Sequence, residues 1–514
     1  MKSFKKNLLL IYGTKIFGII TGFLSVLLVI PKLTSNSTIY GVYTICTSLG
    51  LFFSYADLGF LAACQKFAAE YYTQKNIKQE MKVIAFSLFI LAVFVGLILF
   101  FLLLFAFNPS IIIKSGNPDD LKIASQLIII LVLFSPTILI QKLNVLVYSI
   151  RIEDYIYQGI EIVFNLVKIG IIGLFVTKTS YDIIGYYLSI QILSLISSLA
   201  AVYLIIKRYN YQLFYLLKQF KFSKEIYNLT KKLAFSSLLL TIAWILYFEM
   251  DTLILSKFYG IKIVAIYAVA VVFLNFMRTL YNTLFSPYLA YFYRFSAVND
   301  KIGLNHAFSN LLKWSFPLIL IPPLVLILFM DTIIKVWVGH NFFESILISR
   351  FFVLTISLTA FCVPISYYLI ANSFNKILMI LALLLPVVFY SSLLIYDYFG
   401  FNEKALASAT LTTIFISLVY NVAVMIKMGG TIILKLYISL LKNSIIPIIA
   451  ILFIFNLLPK ITKITKGSIE VYFKLGFYMI ITSFIALLIY YLIEKNTRNI
   501  LFDFFIRKKI SINE

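Results

Sequence analysis

The sequence predicts an all-α polytopic membrane protein of about 14 transmembrane helices, arranged as two six-helix lobes in a parallel pseudo-two-fold repeat plus two C-terminal helices. Three observations carry this reading. First, 62% of the 514 residues are hydrophobic and only 13% are charged, with a mean hydropathy of +0.98. A soluble globular domain carries about 25% charged residues, and its core cannot absorb so much apolar side chain because small domains are mostly surface. Second, the apolar runs are continuous, which excludes the alternating strands of about 10 residues that build a β-barrel. Third, Lys and Arg favour the connections on one side of the runs, as the positive-inside rule expects. A soluble enzyme, a disordered regulator and a disulfide scaffold are all excluded.

The chain opens with Lys2, Lys5 and Lys6 and an apolar run over 8–30. That run is longer than the roughly 7–15-residue core of a signal peptide and lacks a small-x-small cleavage site, so it reads as a retained first span. Runs of spanning length follow at 39–62, 83–107, 123–146, 157–177 and 183–206, completing a first lobe over 1–206. The connection 207–232 is basic and rich in Tyr and Phe. Leu213, Leu216, Leu217, Phe220 and Tyr227 fall on one helical face, and Lys218, Lys221, Glu225, Asn228 and Lys232 on the other. This predicts an amphipathic helix lying on the inner leaflet. A second lobe over 233–426 holds runs at 233–256, 263–285, 311–330, 345–371, 377–396 and 405–426. The segment 427–514 adds runs at 436–458 and 471–493 and a tail. An even number of spans puts both termini on one side. The connections on that side hold more than twice as many Lys and Arg as the opposite ones, so both termini are expected in the cytoplasm.

The halves are weakly similar at offsets of roughly 221–225 residues. Tyr40, Gly41, Val42 and Tyr43 correspond to the stretch that begins at Gly260 and ends at Tyr267. Asn108 and Gly116 correspond to Asp331 and Gly339, and Ile183, Ile184 and Gly185 to Lys404, Ala405 and Leu406. Six spans per half keep the orientation, so the repeat is parallel, about an axis along the membrane normal.

The net charge of +23 is accounted for by basic cytoplasmic loops facing anionic lipid, and no nucleic acid is implied. Cys46, Cys64 and Cys362 lie in or beside apolar runs and read as buried thiols; His306 and His340 stand alone, so no metal site is expected. No Walker P-loop is present, and no cofactor is expected.

An ionisable side chain within hydrocarbon is costly and usually faces a cavity or a partner. Lys142, Lys442 and Lys474 sit near span ends, where their ammonium groups can snorkel to the interface. Glu161 and Lys168 are seven residues apart on one helical face and can form a structural ion pair; Lys168 is also a candidate anion contact. Lys15 and Arg278 are harder to assign to snorkelling, and Arg is rare among cations that are mostly Lys. Its planar fork suits phosphate and keeps its charge when buried. Lys15, Lys168, Arg278 and Arg350 are therefore the candidate contacts for an anionic group. Asp57, beside Gly59, and Glu249 and Asp251, two apart and on different faces, are candidates for ion coupling or for acids lining a cavity. The Glu249–Asp251 pair superficially resembles the acidic pair of membrane glycosyltransferases but lies inside a span, so no enzyme is expected.

At these residues the chain resembles the polysaccharide-exporter branch of the multidrug/oligosaccharidyl-lipid/polysaccharide (MOP) superfamily, the Wzx-type flippases. Asp57, Leu58 and Gly59, followed by Lys66 and by Ala69, Glu70 and Tyr71, are similar to that family's end of the second span. The run from Asp251 through Ser256 and Lys257, then Gly260 and Ala265, Ile266 and Tyr267, is similar to its turn between spans seven and eight. Phe285, Ser286 and Pro287, then Val336, Trp337, Val338 and Gly339, then Ile370, Ala371 and Asn372 before Lys376 extend the likeness over almost the whole chain. One departure is Lys66, where that family often carries Arg.

The resemblance implies two lobes around a central cavity lined mainly by spans one, two, seven and eight. These spans carry Lys15, Asp57, Glu249, Asp251 and Arg278. It also implies transfer of an undecaprenyl-diphosphate-linked oligosaccharide from the inner to the outer leaflet of the bacterial inner membrane, for O-antigen or another surface polysaccharide. Membrane lipids and polysaccharide polymerase or assembly proteins are the expected partners. A drug/cation antiporter of the MATE branch is the alternative; its cavity would favour acids, against Lys15 and Arg278.

Overall fold

In the computed structural model the described residues are 2–494, apart from 58, 115, 178, 298–299, 373–374, 430 and 460–465. The expected tail at 495–514, and Leu58 of the Asp57–Gly59 stretch, lie outside them. Helices build the described chain, and no strand forms among these residues beyond an isolated bridge between Val176 and Tyr181. The chain divides into two units, Met1–Ala268 and Val269–Glu514.

The first unit holds α1 (Lys2–Leu33), α2 (Ser37–Ser54), α3 (Phe60–Thr73), α4 (Ile77–Phe107), α5 (Pro118–Phe134), α6 (Pro136–Ile150), α7 (Asp154–Phe175) and α8 (Ile183–Tyr209). After them come α9 (Leu213–Lys218), α10 (Lys224–Trp244), a π-helical turn (Ile245–Glu249) and α11 (Asp251–Phe258). The division falls inside α12 (Ile261–Ala297). The second unit continues with α13 (Lys301–Trp337), α14 (Ser345–Ala371), α15 (Asn375–Tyr398), α16 (Ala405–Gly429), α17 (Thr431–Leu457) and α18 (Ile469–Ile493). Among the described residues 11 helices are long and apolar enough to cross a membrane, and the bent pair α5–α6 makes 12. The two other expected spans, 39–62 and 233–256, are built from interrupted helices. A count of 14 is compatible with this arrangement, and the all-α multispan fold stands.

Three runs that hydropathy reads as continuous are broken, each for a local reason. The run 39–62 ends as a helix at Ser54 and restarts at Phe60, across a turn closed by Gly59 at φ +80°, a left-handed conformation that glycine adopts without steric cost. The run 123–146 bends by 46° between Phe134 and Pro136. Pro136 has no N–H for the Val132 carbonyl, and the Ser135 hydroxyl takes that acceptor at 2.8 Å. The run 233–256 passes through the π-helical turn before α11. By contrast α13 continues through Pro317, Pro322 and Pro323. The Ile319 carbonyl, which Pro323 leaves without its helical donor, accepts from the Tyr281 hydroxyl at 3.4 Å.

The 207–232 connection is not the single amphipathic helix expected. Asn210, at φ +54°, stops α8; α9 lasts six residues, and α10 starts at Lys224. Rings anchor part of the segment within the first unit: Phe220 meets Phe89 at 5.7 Å, Phe222 meets Phe86 at 6.0 Å and Tyr227 stacks on Phe60 at 6.1 Å, while Phe214 and Leu217 of α9 stay exposed.

Helix ends are capped where polarity is scarce. Asp182 accepts from the Gly185 N–H at 2.9 Å and Asp300 from the Gly303 N–H at 2.8 Å, satisfying donors that the first turn leaves orphaned. In the second unit α14 packs against α13 and α16, and α18 against α13 and α17. Ile321, Val325 and Phe329 of α13 close there on Ile451, Leu475, Ala486 and Tyr490. In a bilayer such contact stabilises by van der Waals packing rather than by leaving water.

Candidate functional site

In the first unit α1 and α7 run parallel. Thr14 donates to Gln158 at 2.8 Å, and one turn further Gly18 lies against Ile162. Lys15 is half-buried and within electrostatic reach of Asp154 at the start of α7. On the other flank of α7, α8 offers serines: Ser197 donates to Glu161 at 2.8 Å, and Lys168 donates to Ser194 at 3.0 Å and to Asn165 at 3.5 Å. The expected ion pair between Glu161 and Lys168 does not form. Seven residues of helix separate them by about 10 Å along the axis, and nearer hydroxyls take both groups.

The break after α2 gathers a second polar group. The Ser54 carbonyl, at the end of α2, accepts from the Lys142 ammonium at 3.1 Å. Lys142 thereby supplies the donor that a helix C-terminus lacks. Asp57 sits half-buried in the break, and its carbonyl accepts from the Phe60 N–H at 2.9 Å. Tyr55 donates to Glu249 at 2.9 Å, and Trp244 donates to the same carboxylate at 3.2 Å. Asp251 turns to a different neighbour, as two-residue spacing expects: it is 7% exposed and accepts from the Tyr267 hydroxyl. Beside these groups lies an apolar cavity of about 400 Å³, lined by residues that include Leu49, Phe52, Phe94, Phe101, Met250 and Leu253. It offers no cation to a diphosphate.

A third group was missed by the sequence reading. Arg151, capping the end of α6, pairs with Glu80 in the first turn of α4 at 2.8 Å, with side chains 4% and 0% exposed. The guanidinium lies 4.6, 4.7 and 5.1 Å from the ring centres of Tyr209, Tyr72 and Tyr211, and it also donates to the Val147 carbonyl at 3.0 Å. The Tyr211 hydroxyl donates to Glu80. Burial, then the neighbouring carboxylate, pushes the Tyr211 phenol up, so it stays protonated and remains a donor. The signal available in the sequence was the scarcity of Arg together with the tyrosines at 72, 209 and 211.

In the second unit Arg278 is half-buried on the face of α12 that carries buried Leu274, Tyr281 and Phe285. Arg350 donates from Nε to the Ile327 carbonyl of α13 at 3.2 Å. Lys474 pairs with exposed Glu470 at 2.6 Å, and Lys442 is exposed. Cys46, Cys64 and Cys362 are buried free thiols, as expected. Among the described residues no group of three His, Cys, Asp or Glu could hold a metal ion.

The fold is similar to that of the lipid II flippase MurJ in an inward closed conformation, with TM-score 0.68 and 17% identity over 94% of this chain and 98% of that one. It is also similar to an inward-facing multidrug resistance MATE family transporter of the MOP superfamily, with TM-score 0.58 and 13% identity over 82% and 95% of the chains. The eukaryotic MATE transporter AtDTX14 gives TM-score 0.58 and 10% identity over 85% and 99%. Among curated proteins none matches in sequence. The sequence profile of the family described as polysaccharide biosynthesis protein matches residues 6–293, more than half of the chain, and the chain belongs to that family.

Proposed function

We propose that the protein is a flippase. It moves an undecaprenyl-diphosphate-linked oligosaccharide from the inner to the outer leaflet of the bacterial inner membrane by alternating access, for surface polysaccharide such as O-antigen. Both termini lie in the cytoplasm. The observation that carries the reading is the set of half-buried cations on spanning helices of a chain from a polysaccharide biosynthesis family: Lys15 and Lys168 in the first unit, Arg278 and Arg350 in the second. A diphosphate is the costly part of such a cargo to bring through lipid, and fixed cations offset that cost through charge-assisted hydrogen bonds. These four side chains meet the diphosphate during the crossing. Asp57, Glu249 and Asp251 are the acids available for coupling to an ion gradient. No catalytic step is required.

The test is a deletion strain, with its lipids extracted and assigned to a leaflet. Accumulation of a complete diphosphate-linked glycan on the cytoplasmic side, with surface polysaccharide lost, is the expected result. Absence of that lipid together with drug sensitivity would replace the flippase by a cation antiporter, the second reading, which half-buried Glu249 and buried Asp251 favour.

Arg278 gives a sharper expectation. Arg278→Ala abolishes restoration of surface polysaccharide, and Arg278→Lys restores part of it, because Lys keeps the charge but not the planar fork. Full activity of a normally inserted Arg278→Ala protein would remove Arg278 from the site.

A further inference from the structure

Along α7, Asp154, Gln158, Glu161, Asn165 and Lys168 recur at intervals of four, three, four and three residues, which places them on one helical face. The opposite face carries exposed Val163, Val167 and Leu174, as a lipid-facing surface requires. All five stripe residues are half-buried, neither sealed in the core nor turned to the lipid. The stripe covers about 21 Å of helix axis, most of a hydrocarbon layer about 30 Å thick.

The partners of the stripe are mostly neutral. Gln158 accepts from Thr14, Glu161 from Ser197, and Lys168 donates to Ser194 and Asn165. Polar glue between membrane helices needs only neutral groups such as Thr14 and Gln158. Two ionisable side chains within hydrocarbon, Glu161 and Lys168, held two helical turns apart and met by hydroxyls, mark a surface that receives something polar. A diphosphate does not suit the whole stripe, since Asp154 and Glu161 would repel it. A metal ion does not suit it either, since the carboxylates at 154 and 161 are two helical turns apart. A hydroxyl-rich chain does suit it: every sugar hydroxyl both donates and accepts, and the stripe alternates acceptor carboxylates with amides that do both. Lys168 ends the stripe with a cation, and in a lipid-linked glycan the diphosphate is bonded directly to the first sugar.

We propose that the α7 stripe is the track that binds the sugar portion of the cargo, with Lys168 toward the diphosphate and with Asn165, Glu161 and Gln158 meeting successive sugar hydroxyls. This rests on the flippase reading and adds to it the residues that recognise the glycan. Gln158 and Asn165 are the specificity-determining pair.

The test compares two probes on purified full-length protein: undecaprenyl diphosphate, and the glycolipid that accumulates in the deletion strain. The wild type binds the glycolipid more tightly. The Gln158→Met/Asn165→Leu variant loses about tenfold or more of the glycolipid affinity, because sugar hydroxyls are left without partners, while its affinity for undecaprenyl diphosphate stays within about twofold. If the double variant does not fold, Asn165→Leu alone, which spares the Thr14–Gln158 bond, carries the same comparison. Equal loss for both probes makes the stripe structural and overturns the proposal, as does a wild type that holds both probes equally. A wild type that binds neither probe overturns the flippase reading itself, so the two failures are distinguishable.

Discussion

Replacing Arg151 by Ala is expected to destabilise the first unit by about 3–5 kcal/mol, the usual effect of removing one partner from a buried ion pair. Glu80 is fully buried, and without Arg151 its carboxylate keeps the Tyr211 hydroxyl and loses its counter-ion. Three tyrosine rings lose the cation they enclose, which adds to the effect. The Val147 carbonyl at the end of α6 loses a donor as well. Both charges stand where helix dipoles favour them, Glu80 in the first turn of α4 and Arg151 at the cap of α6, so a neutral substitute cannot recover that contribution. The measurement is the thermal midpoint and the monodisperse yield of the purified protein. Glu80→Leu/Arg151→Met should recover much of the loss, because a pair of matched apolar groups avoids the desolvation of both charges. A double-mutant cycle on the two positions then reads their coupling directly. A midpoint for Arg151→Ala equal to that of the wild type would show that the pair contributes nothing to stability.

That pair also shows where reading the sequence stops. Composition and run length reach the all-α multispan fold because the hydrocarbon layer fixes how long an apolar segment must be. Hydropathy is blind to where backbone hydrogen bonds change partner. It therefore reads through the left-handed Gly59, the bend at Pro136 and the π-helical turn before Asp251. It also sorts charges by depth alone: Glu80 and Arg151 lie beside span ends, where loop and snorkelling explanations suffice, and their burial comes from rings far away in sequence. Depth alone also leaves Lys142 without a partner, whereas its ammonium closes the end of α2. Of the candidate acids, Asp251 and Glu249 point to different partners, as their spacing required; Trp244 is a neighbour five residues before Glu249, whereas Tyr267 and Tyr55 come from tertiary packing. Several residues that carry the family resemblance hold turns in place. Ser256 donates to the Ile112 carbonyl at 2.6 Å, and Gly260, at φ +92°, lets the chain reverse into α12. Gly339, at φ +94°, closes the turn after α13, where the Val336 carbonyl accepts from the Gly467 N–H at 2.8 Å.

Gly41 should tolerate no side chain. A Cβ there would fall inside the contact radius of the Ile261 carbonyl oxygen and against the Ile261 side chain. The carbonyl belongs to the first turn of α12 and cannot rotate aside as a side chain could, so α2 and α12 must separate. That seam is part of a larger junction within the first unit. The Lys114 N–H donates to the Ser256 carbonyl at 3.1 Å, the Lys114 ammonium to the Phe258 carbonyl at 2.9 Å, and the Ser256 hydroxyl to the Ile112 carbonyl. Overpacking of this kind costs about 1–3 kcal/mol, and displacement of α12 would strip these hydrogen bonds as well. Gly41→Ala should therefore lower the thermal midpoint, and Gly41→Val should lower it further. A disulfide reports on the junction itself. In an Ile112→Cys/Ser256→Cys background the two positions are neighbours, and Cys46, Cys64 and Cys362 are buried away from reagents. Cross-linking should be efficient with Gly41 and fall several-fold with Gly41→Val, because the loop after α4 and the end of α11 move apart when α12 is pushed off α2. Unchanged cross-linking together with a lowered midpoint would mean that the strain is absorbed inside α2. In that case the α11–α12 turn is held by its hydrogen bonds to the 112–114 loop rather than by the close approach at Gly41.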